Sequence, residues 1–462
     1  MATLRLSSLA LLRRTVLASR LQLPLQLGRA TPRIDRGDSK LFIDADEAVA
    51  DLKSGSTILS SRSGLCGVAE TLITAIHCRG VDKLHSLTAV SNNAGAAGKG
   101  GLLTLRQAVQ VNRLVRSYIG NSKALEKKYL SGEIPIELTP QGTLAERLRA
   151  GGAGIPAFFT PTGALLEHGA PRETRMFNGK TYLIETALNG DVANLRAWKA
   201  DEAGSCVFRY TTKLDIVPVG SIDSNDVDLP GIFVDRIVPA IKDKHIEIKK
   251  LRSDTDESAV RAVKDMAMTK RNRIAKRSAK ELKHCYYVNL GVGIPTLAPS
   301  FLPPEVKVWV QSENGILGVD PYSTEEEVDP DIINAGKETV TLVPGAATFD
   351  STESFGMIRA GHVDVSILGV PLQLSANGDL TNYMSRGKVL KGMGGAMDLM
   401  SNPDQTKIVV ATGRITQGCL SLQPSPHRGE LCQYDYHGPG KCITLLTCVF
   451  QVDRTKGELL LT

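Results

Sequence analysis

A chain of 462 residues, 42% hydrophobic and 23% charged, is too long for one ordinary core and has the make-up of a globular protein with two large domains. Its formal charge of +6 is carried entirely by residues 1–34, which hold six arginines and no Lys, Asp or Glu; residues 35–462 are neutral and give no electrostatic reason for nucleic-acid binding. No apolar run is long enough to span a bilayer, and the eight cysteines form no CxxC pair and no zinc-finger spacing, so neither a membrane protein nor a metal site is expected.

The Arg-rich, acid-free stretch 1–34 reads as a mitochondrial transit peptide, and in that compartment the cysteines should be free thiols. Beyond it, 44–52 reads as a short helix. The strand Thr57-Ile58-Leu59-Ser60 runs through a Gly-containing turn into a helix that ends near His77. A second strand, 84–90, ends in Ser91-Asn92-Asn93-Ala94-Gly95, and a Gly-rich loop follows. Thr139-Pro140-Gln141-Gly142 opens a helix, with Thr139 as the expected cap and Gly151-Gly152 as the stop. Strand-like runs at 181–187 and 205–212 close the first half. Strands separated by helices at this spacing predict α/β layers with largely parallel sheets. The charged segment 253–283, which carries the basic run Lys270 to Lys283, is expected to connect a domain at 40–252 with one at 284–462, its basic residues forming a solvated helix face.

The second half begins again with a strand, 285–289. The following Leu290-Gly291-Val292-Gly293-Ile294-Pro295 is not a dinucleotide fingerprint, because the third glycine position is Thr296. An alternating run, Val306 to Val310, leads into Gln311-Ser312-Glu313-Asn314-Gly315, where glycine permits a sharp turn that presents Glu313 at a strand end. By itself such a Glu reads as a solvated turn residue. Asp350 and Glu353 form a capping-box pair for a helix over 351–360; 363–368 and 407–411 are strands, and 391–398 is a second Gly-rich turn. Two motif pairs echo across the halves: Ser91-Asn92-Asn93 against Ser312-Glu313-Asn314, and Asn189-Gly190-Asp191 against Asn377-Gly378-Asp379. They predict two related domains whose strand ends meet at an interdomain cleft.

On these residues the chain resembles the family I CoA-transferases, in their fused two-domain mitochondrial form. The match is carried by Ser91 to Gly95, Glu137 to Arg147, Gly151 to Ala157, Asn289 to Pro295, Gln311 to Gly318, Asn334 to Thr341 and Lys391 to Leu399, and spans about 40–410. The resemblance implies a CoA-transferase fold related to sugar-phosphate isomerases and transfer of CoA from succinyl-CoA to a 3-oxo acid. Glu313 would be the nucleophile and would carry CoA as a thioester, with no metal or organic cofactor. It implies oxyanion and substrate contacts from Asn92 or Asn93, Gln141, Gly394 and Gly395, CoA contacts from Asn289 and Lys337, and a homodimer in the mitochondrial matrix. Three departures accompany it: Ser61-Arg62-Ser63 replaces the family's Gly-Gly-Phe, 414–440 matches little, and the chain stops at Thr462 where the family pattern continues. Two other readings follow from the same residues: a catalytically impaired relative acting through an active partner, and an isomerase with Glu313 as base.

Overall fold

In the computed structural model, the described residues are 39–61, 66–93, 101–119, 123–164, 172–208, 215–241, 248–251, 266–320, 322–329, 331–369 and 392–412. They also include the short strands 373–374, 380–381, 384–385, 388–389, 441–445, 449–453 and 458–461. The segment 1–34, the substituted positions Arg62 and Ser63, and 414–440 lie outside them.

The first half builds a five-stranded sheet from β1 (Thr57–Ser60), β2 (Leu87–Val90), β3 (Val111–Arg116), β4 (Ile136–Leu138) and β5 (Val192–Asn194). Its order is β4-β3-β2-β1-β5, and every neighbouring pair is parallel. Parallel pairing requires crossovers, and two helices, α1 (Glu70–Cys78) and α2 (Leu102–Gln107), supply apolar faces to cover one side. Ile73 and Ile76 of α1 and Leu102 and Leu105 of α2 pack with Ile58, Leu87, Ala89 and Leu114 of the sheet. Burial of each large side chain there stabilises by about 1.5–3 kcal/mol. Helix α3 (Gln141–Gly152) follows β4. Thr139 does not cap it: Pro140 holds the cap position with no side-chain hydrogen bond. The Thr139 hydroxyl instead accepts from Arg147 Nη1 at 3.4 Å.

The segment expected to be a connection contributes a core helix, α4 (Met266–Ala279). Its basic face hides an apolar stripe: Ile274, Ala275 and Ala279 are buried together with Val288, Val365, Ile367, Val409 and Ala411 of the second sheet. That sheet comprises β6 (Tyr287–Leu290), β7 (Trp309–Ser312), β8 (Ile316–Asp320), β9 (Thr341–Thr348), β10 (Val365–Gly369), β11 (Lys407–Thr412), β12 (Lys441–Leu445), β13 (Val449–Asp453) and β14 (Glu458–Leu461). The order is β9-β8-β7-β6-β10-β11-β12-β13-β14. Its centre, β7-β6-β10-β11-β12, is parallel, and antiparallel strands extend both edges. The fold is therefore α/β with largely parallel sheets. In each half the first strand pairs in parallel with the second, and that second strand runs into the Ser-Asn-Asn or Ser-Glu-Asn motif.

Two further helices lie between β9 and β11: α5 (Ser351–Arg359), capped by Asp350 accepting from the Thr352 and Glu353 N–H groups, and the short α6 (Ala396–Leu399). Both pack against α3, so helices from the two halves of the sequence meet in one cluster.

Candidate active site

Glu313 opens a three-residue hairpin loop. Gln311 pairs with Leu317 and Ser312 with Ile316, leaving Glu313, Asn314 and Gly315 as the loop. Gly315 adopts φ +111° and lies so close to the Phe349 carbonyl oxygen that a Cβ would sit 2.2 Å from it, so both conformation and space require glycine. The loop is tied down from the side: Asn314 Nδ2 donates to the Ile333 carbonyl at 2.7 Å, and the Ala335 N–H donates to Ser312 Oγ at 3.0 Å. These bonds fix the backbone that aims Glu313.

The residue keeps partial solvent access, while its carboxyl end is packed among protein atoms. Oε2 lies where a Cβ on Gly395 would be, 2.7 Å from the ideal position, beside the Phe355 ring. Burial, and then the negative charge of Asp398, push the Glu313 carboxyl up to about 7. A carboxylate at that value is poorly solvated yet ionises near neutral pH, the combination a carboxylate nucleophile needs.

Around this carboxyl most of the remaining predicted residues form a circuit. Beside Gly395, Gly394 accepts from the Gln141 N–H at 2.9 Å and donates its own N–H to the Ser117 carbonyl at 3.0 Å. Ser117 Oγ hydrogen-bonds the Gln141 side-chain oxygen, which leaves the Gln141 NH2 as the donor end. The Asn92 carbonyl accepts from the Ser117 and Tyr118 N–H groups at 3.3 and 3.0 Å. Lys337, at φ +67°, carries its ammonium 5.7 Å from the Tyr118 ring centroid. The Lys337 N–H donates to Asn334, next to the Ile333 carbonyl that holds Asn314. The circuit thus leaves the second half at Gly394, passes through Gln141, Ser117, Asn92 and Tyr118 of the first half, and returns through Lys337 to the loop of Glu313.

The circuit separates the two asparagines. Asn92 is partly exposed and uses Oδ1 to accept from the Asn93 N–H at 2.8 Å, leaving its NH2 as donor; Asn93 is buried, only 3% exposed. It also corrects the expectation for Gly394. The Gly394 N–H is already committed to Ser117, so of the glycine pair only Gly395 remains as a backbone donor. Asn289 stands apart from the circuit: it is 2% exposed, and its Nδ2 donates to Gln311 Oε1 at 2.6 Å, while Gln311 Nε2 donates to Ser354 Oγ at 2.8 Å. This amide chain braces the end of β7 from inside the sheet. Replacing Asn289 by Ala strands the Gln311 oxygen and should cost about 1–3 kcal/mol in denaturant unfolding.

The sequence reading missed Asp398, which is fully buried, and Phe355, which fills the space between Gly142 and Gly395. The only signal for Asp398 was a carboxylate between Met397 and Leu399, in a stretch otherwise apolar.

The family model described as Coenzyme A transferase matches residues 42–215 and 271–418, well over half of the chain. The chain belongs to the coenzyme A transferase family. Among curated CoA-transferases, the mitochondrial succinyl-CoA:3-ketoacid coenzyme A transferase 2A of Rattus norvegicus is 41% identical over 99% of this chain and 92% of its own length. The mitochondrial succinyl-CoA:3-ketoacid coenzyme A transferase 2 of Homo sapiens is 41% identical over 90% of this chain and 85% of its own. Among solved structures, an acyl-CoA transferase from Escherichia coli O157:H7 superposes with a TM-score of 0.67 at 18% identity, covering 93% of this chain and 90% of that one. The CoA-transferase fold and an enzyme of this class are thereby established, in agreement with the resemblance read from the motifs.

Proposed function

We propose that this CoA-transferase moves CoA from succinyl-CoA to acetoacetate, with Glu313 as the nucleophile, yielding acetoacetyl-CoA and succinate in ketone-body breakdown. The names of the two mitochondrial relatives support the substrate pair. The observation that carries the reading is the Glu313 carboxyl, seated against Gly395 at the end of β7 and held near neutral pH by burial.

The ionised carboxylate attacks the thioester carbonyl and expels CoA thiolate, forming a mixed anhydride. The thiolate then attacks the Glu313 side-chain carbonyl, forming a glutamyl-CoA thioester and releasing succinate. Acetoacetate reverses both steps. Every bond broken is replaced by one of similar energy, so neither a metal nor an organic cofactor is needed, and CoA is only a carried group. The Gln141 and Asn92 NH2 groups and the Gly395 N–H are the donors assigned to the developing oxyanions, each worth about 3–4 kcal/mol in well-aligned sites. Lys337 is assigned to the anionic substrate or CoA. We further assign residues 1–34 as a transit peptide, the mitochondrial matrix as the compartment and a homodimer as the working form, the last to be checked by native mass.

The deciding assay is acetoacetyl-CoA formation by purified protein from succinyl-CoA and acetoacetate, with parallel double-reciprocal lines expected for a ping-pong scheme. Product absent, or intersecting lines, overturns the reading. Because the nucleophile must be ionised, log kcat should climb with pH and level off above about pH 7. A flat profile down to about pH 5 would show that Glu313 ionises like an ordinary carboxyl.

A further inference from the structure

Asp398 carries no role in the scheme above, yet it is the most enclosed carboxylate of the site. It is 0% exposed, and it lies on a four-residue helix beside Met397 and Leu399. A buried carboxylate persists only where its oxygens are hydrogen-bonded or its charge is paired. Here the partners come from three separate segments. The Gly142 N–H donates to Oδ2 at 2.8 Å across 256 residues of sequence, and Thr162 Oγ1 donates to Oδ1 at 3.0 Å. Arg359 Nη1 stands 3.9 Å from Oδ1, close enough for attraction but too far for a hydrogen bond.

The Gly142 bond has a consequence for the site. Helix α3 begins behind Pro140, which has no side chain able to cap it, so its first N–H groups need acceptors from outside. Asp398 supplies one from the other half of the chain. Gly142 is what permits the approach: a Cβ there would sit 2.6 Å from Oδ1 and 2.7 Å from Phe355 Cγ. Gln141, the residue before, is bonded through its N–H to Gly394, and Gly395 seats the Glu313 carboxyl. One short segment, 394–398, therefore holds both the amide donor of α3 and the carboxyl of the hairpin loop.

We propose that Asp398 is a positioning residue of the transfer site: by capping α3 across the chain it fixes Gln141 and Glu313 in a single geometry. The role deepens the proposed transferase reading and rests on it. Charge adds to geometry. Asp398 is pushed up to about 6 by burial, held back by Arg359, Gly142 and Thr162, and its charge helps raise Glu313. The other charges packed on this cluster are Arg359 of α5, Glu146 of α3, which it meets at 3.4 Å, and Arg149 of α3, paired with Glu146.

Two variants separate the parts. Asp398→Asn keeps an oxygen for the Gly142 N–H but removes the charge; Asp398→Ala removes both. In the transfer assay, Asp398→Ala should lose about 100-fold in kcat with KM for either substrate moving far less, and Asp398→Asn should recover most of that loss. The acid limb of the Asp398→Asn profile should move down by about one pH unit, since a negative neighbour is gone. A purely structural brace would leave that limb where it is. Hydrogen exchange across 141–144 should quicken in Asp398→Ala and stay slow in Asp398→Asn. Equal kcat losses in the two variants, or an unmoved acid limb, overturn the positioning role. Unchanged exchange in Asp398→Ala overturns the cap, whatever the activity. An inactive wild-type protein with the exchange pattern as expected counts against the transferase reading and leaves the cap standing. Should Asp398→Ala fail to fold, the Asp398→Asn profile against wild type decides.

Discussion

Glu313→Gln should abolish CoA transfer and, above neutral pH, make the protein harder to unfold. The loss follows from the chemistry: an amide cannot displace a thiolate or carry CoA, so intact-mass analysis after incubation with succinyl-CoA should show a CoA adduct on wild type and none on the variant. The gain follows from linkage. The folded protein holds this carboxyl at about 7, against an ordinary value of 4.5. Folding therefore favours the protonated form, and the native state binds more protons than the unfolded chain between those two values. Stability contributed by the neutral carboxyl is present below about pH 4.5 and is lost as pH rises to about 7. The difference amounts to about 3 kcal/mol above neutral pH. Glutamine, always neutral, escapes it. Thermal melts should find the variant more stable at about pH 8 and equal to wild type at about pH 4. The same difference at both values would mean that desolvation of the charge is not its source. An adduct surviving on the variant would move the nucleophile elsewhere.

The carboxyl was legible in the sequence, whereas its setting was not. The alternating run before Gln311 and the Asn314-Gly315 pair are local signals, and local hydrogen bonds decide such a hairpin, so a presented Glu313 was readable. The strand does end at Ser312, just before Glu313, but Gln311 and Ser312 are polar yet buried, and their partners, Asn289 and Ser354 for the first, Asn314 and Ala335 for the second, are spread along the second half. The cap of α3 was misread for the same reason. Thr139 has the right chemistry and the right position, but a carboxylate far along the chain takes the N–H that matters. The helical character of α4 was readable, but charge density hid its place in the core, because its basic residues outnumber the buried Ile274, Ala275 and Ala279. Gly394 and Gly395 look equivalent in sequence; the bonds of Gly394 to Ser117 and Gln141, and the seat of Glu313 against Gly395, distinguish them. Local patterns thus specified elements and the motif order, whereas the partners of buried polar groups, which set the site's electrostatics, are properties of the packed chain.

Gly395→Ala should cost about 100-fold in kcat without unfolding the protein. At φ −88° and ψ −5° Gly395 lies outside the positive-φ region that favours glycine, so the added methyl is not barred by the backbone. What it meets is the nucleophile: Glu313 Oε2 at 2.7 Å, Glu313 Cδ at 3.0 Å and Phe355 Cε1 at 3.1 Å. Phe355 is 1% exposed and packed, so it cannot give way, whereas the partly exposed Glu313 side chain can rotate toward solvent. The carboxyl then leaves its seat while the hairpin that carries it stays in place. Two readouts follow from that displacement. Turnover falls because the carboxylate no longer faces the donors near Gln141, and the acid limb of the pH profile drops toward the ordinary carboxyl range because water now solvates the charge. Gly315→Ala is the contrast. There the residue sits at φ +111° and its Cβ would lie 2.2 Å from a backbone oxygen, so relief requires moving the strand connection itself, and lost solubility or a much lowered melting temperature is expected. If Gly395→Ala keeps kcat within about threefold of wild type, the seat of the Glu313 carboxyl against Gly395 is not the one used in transfer.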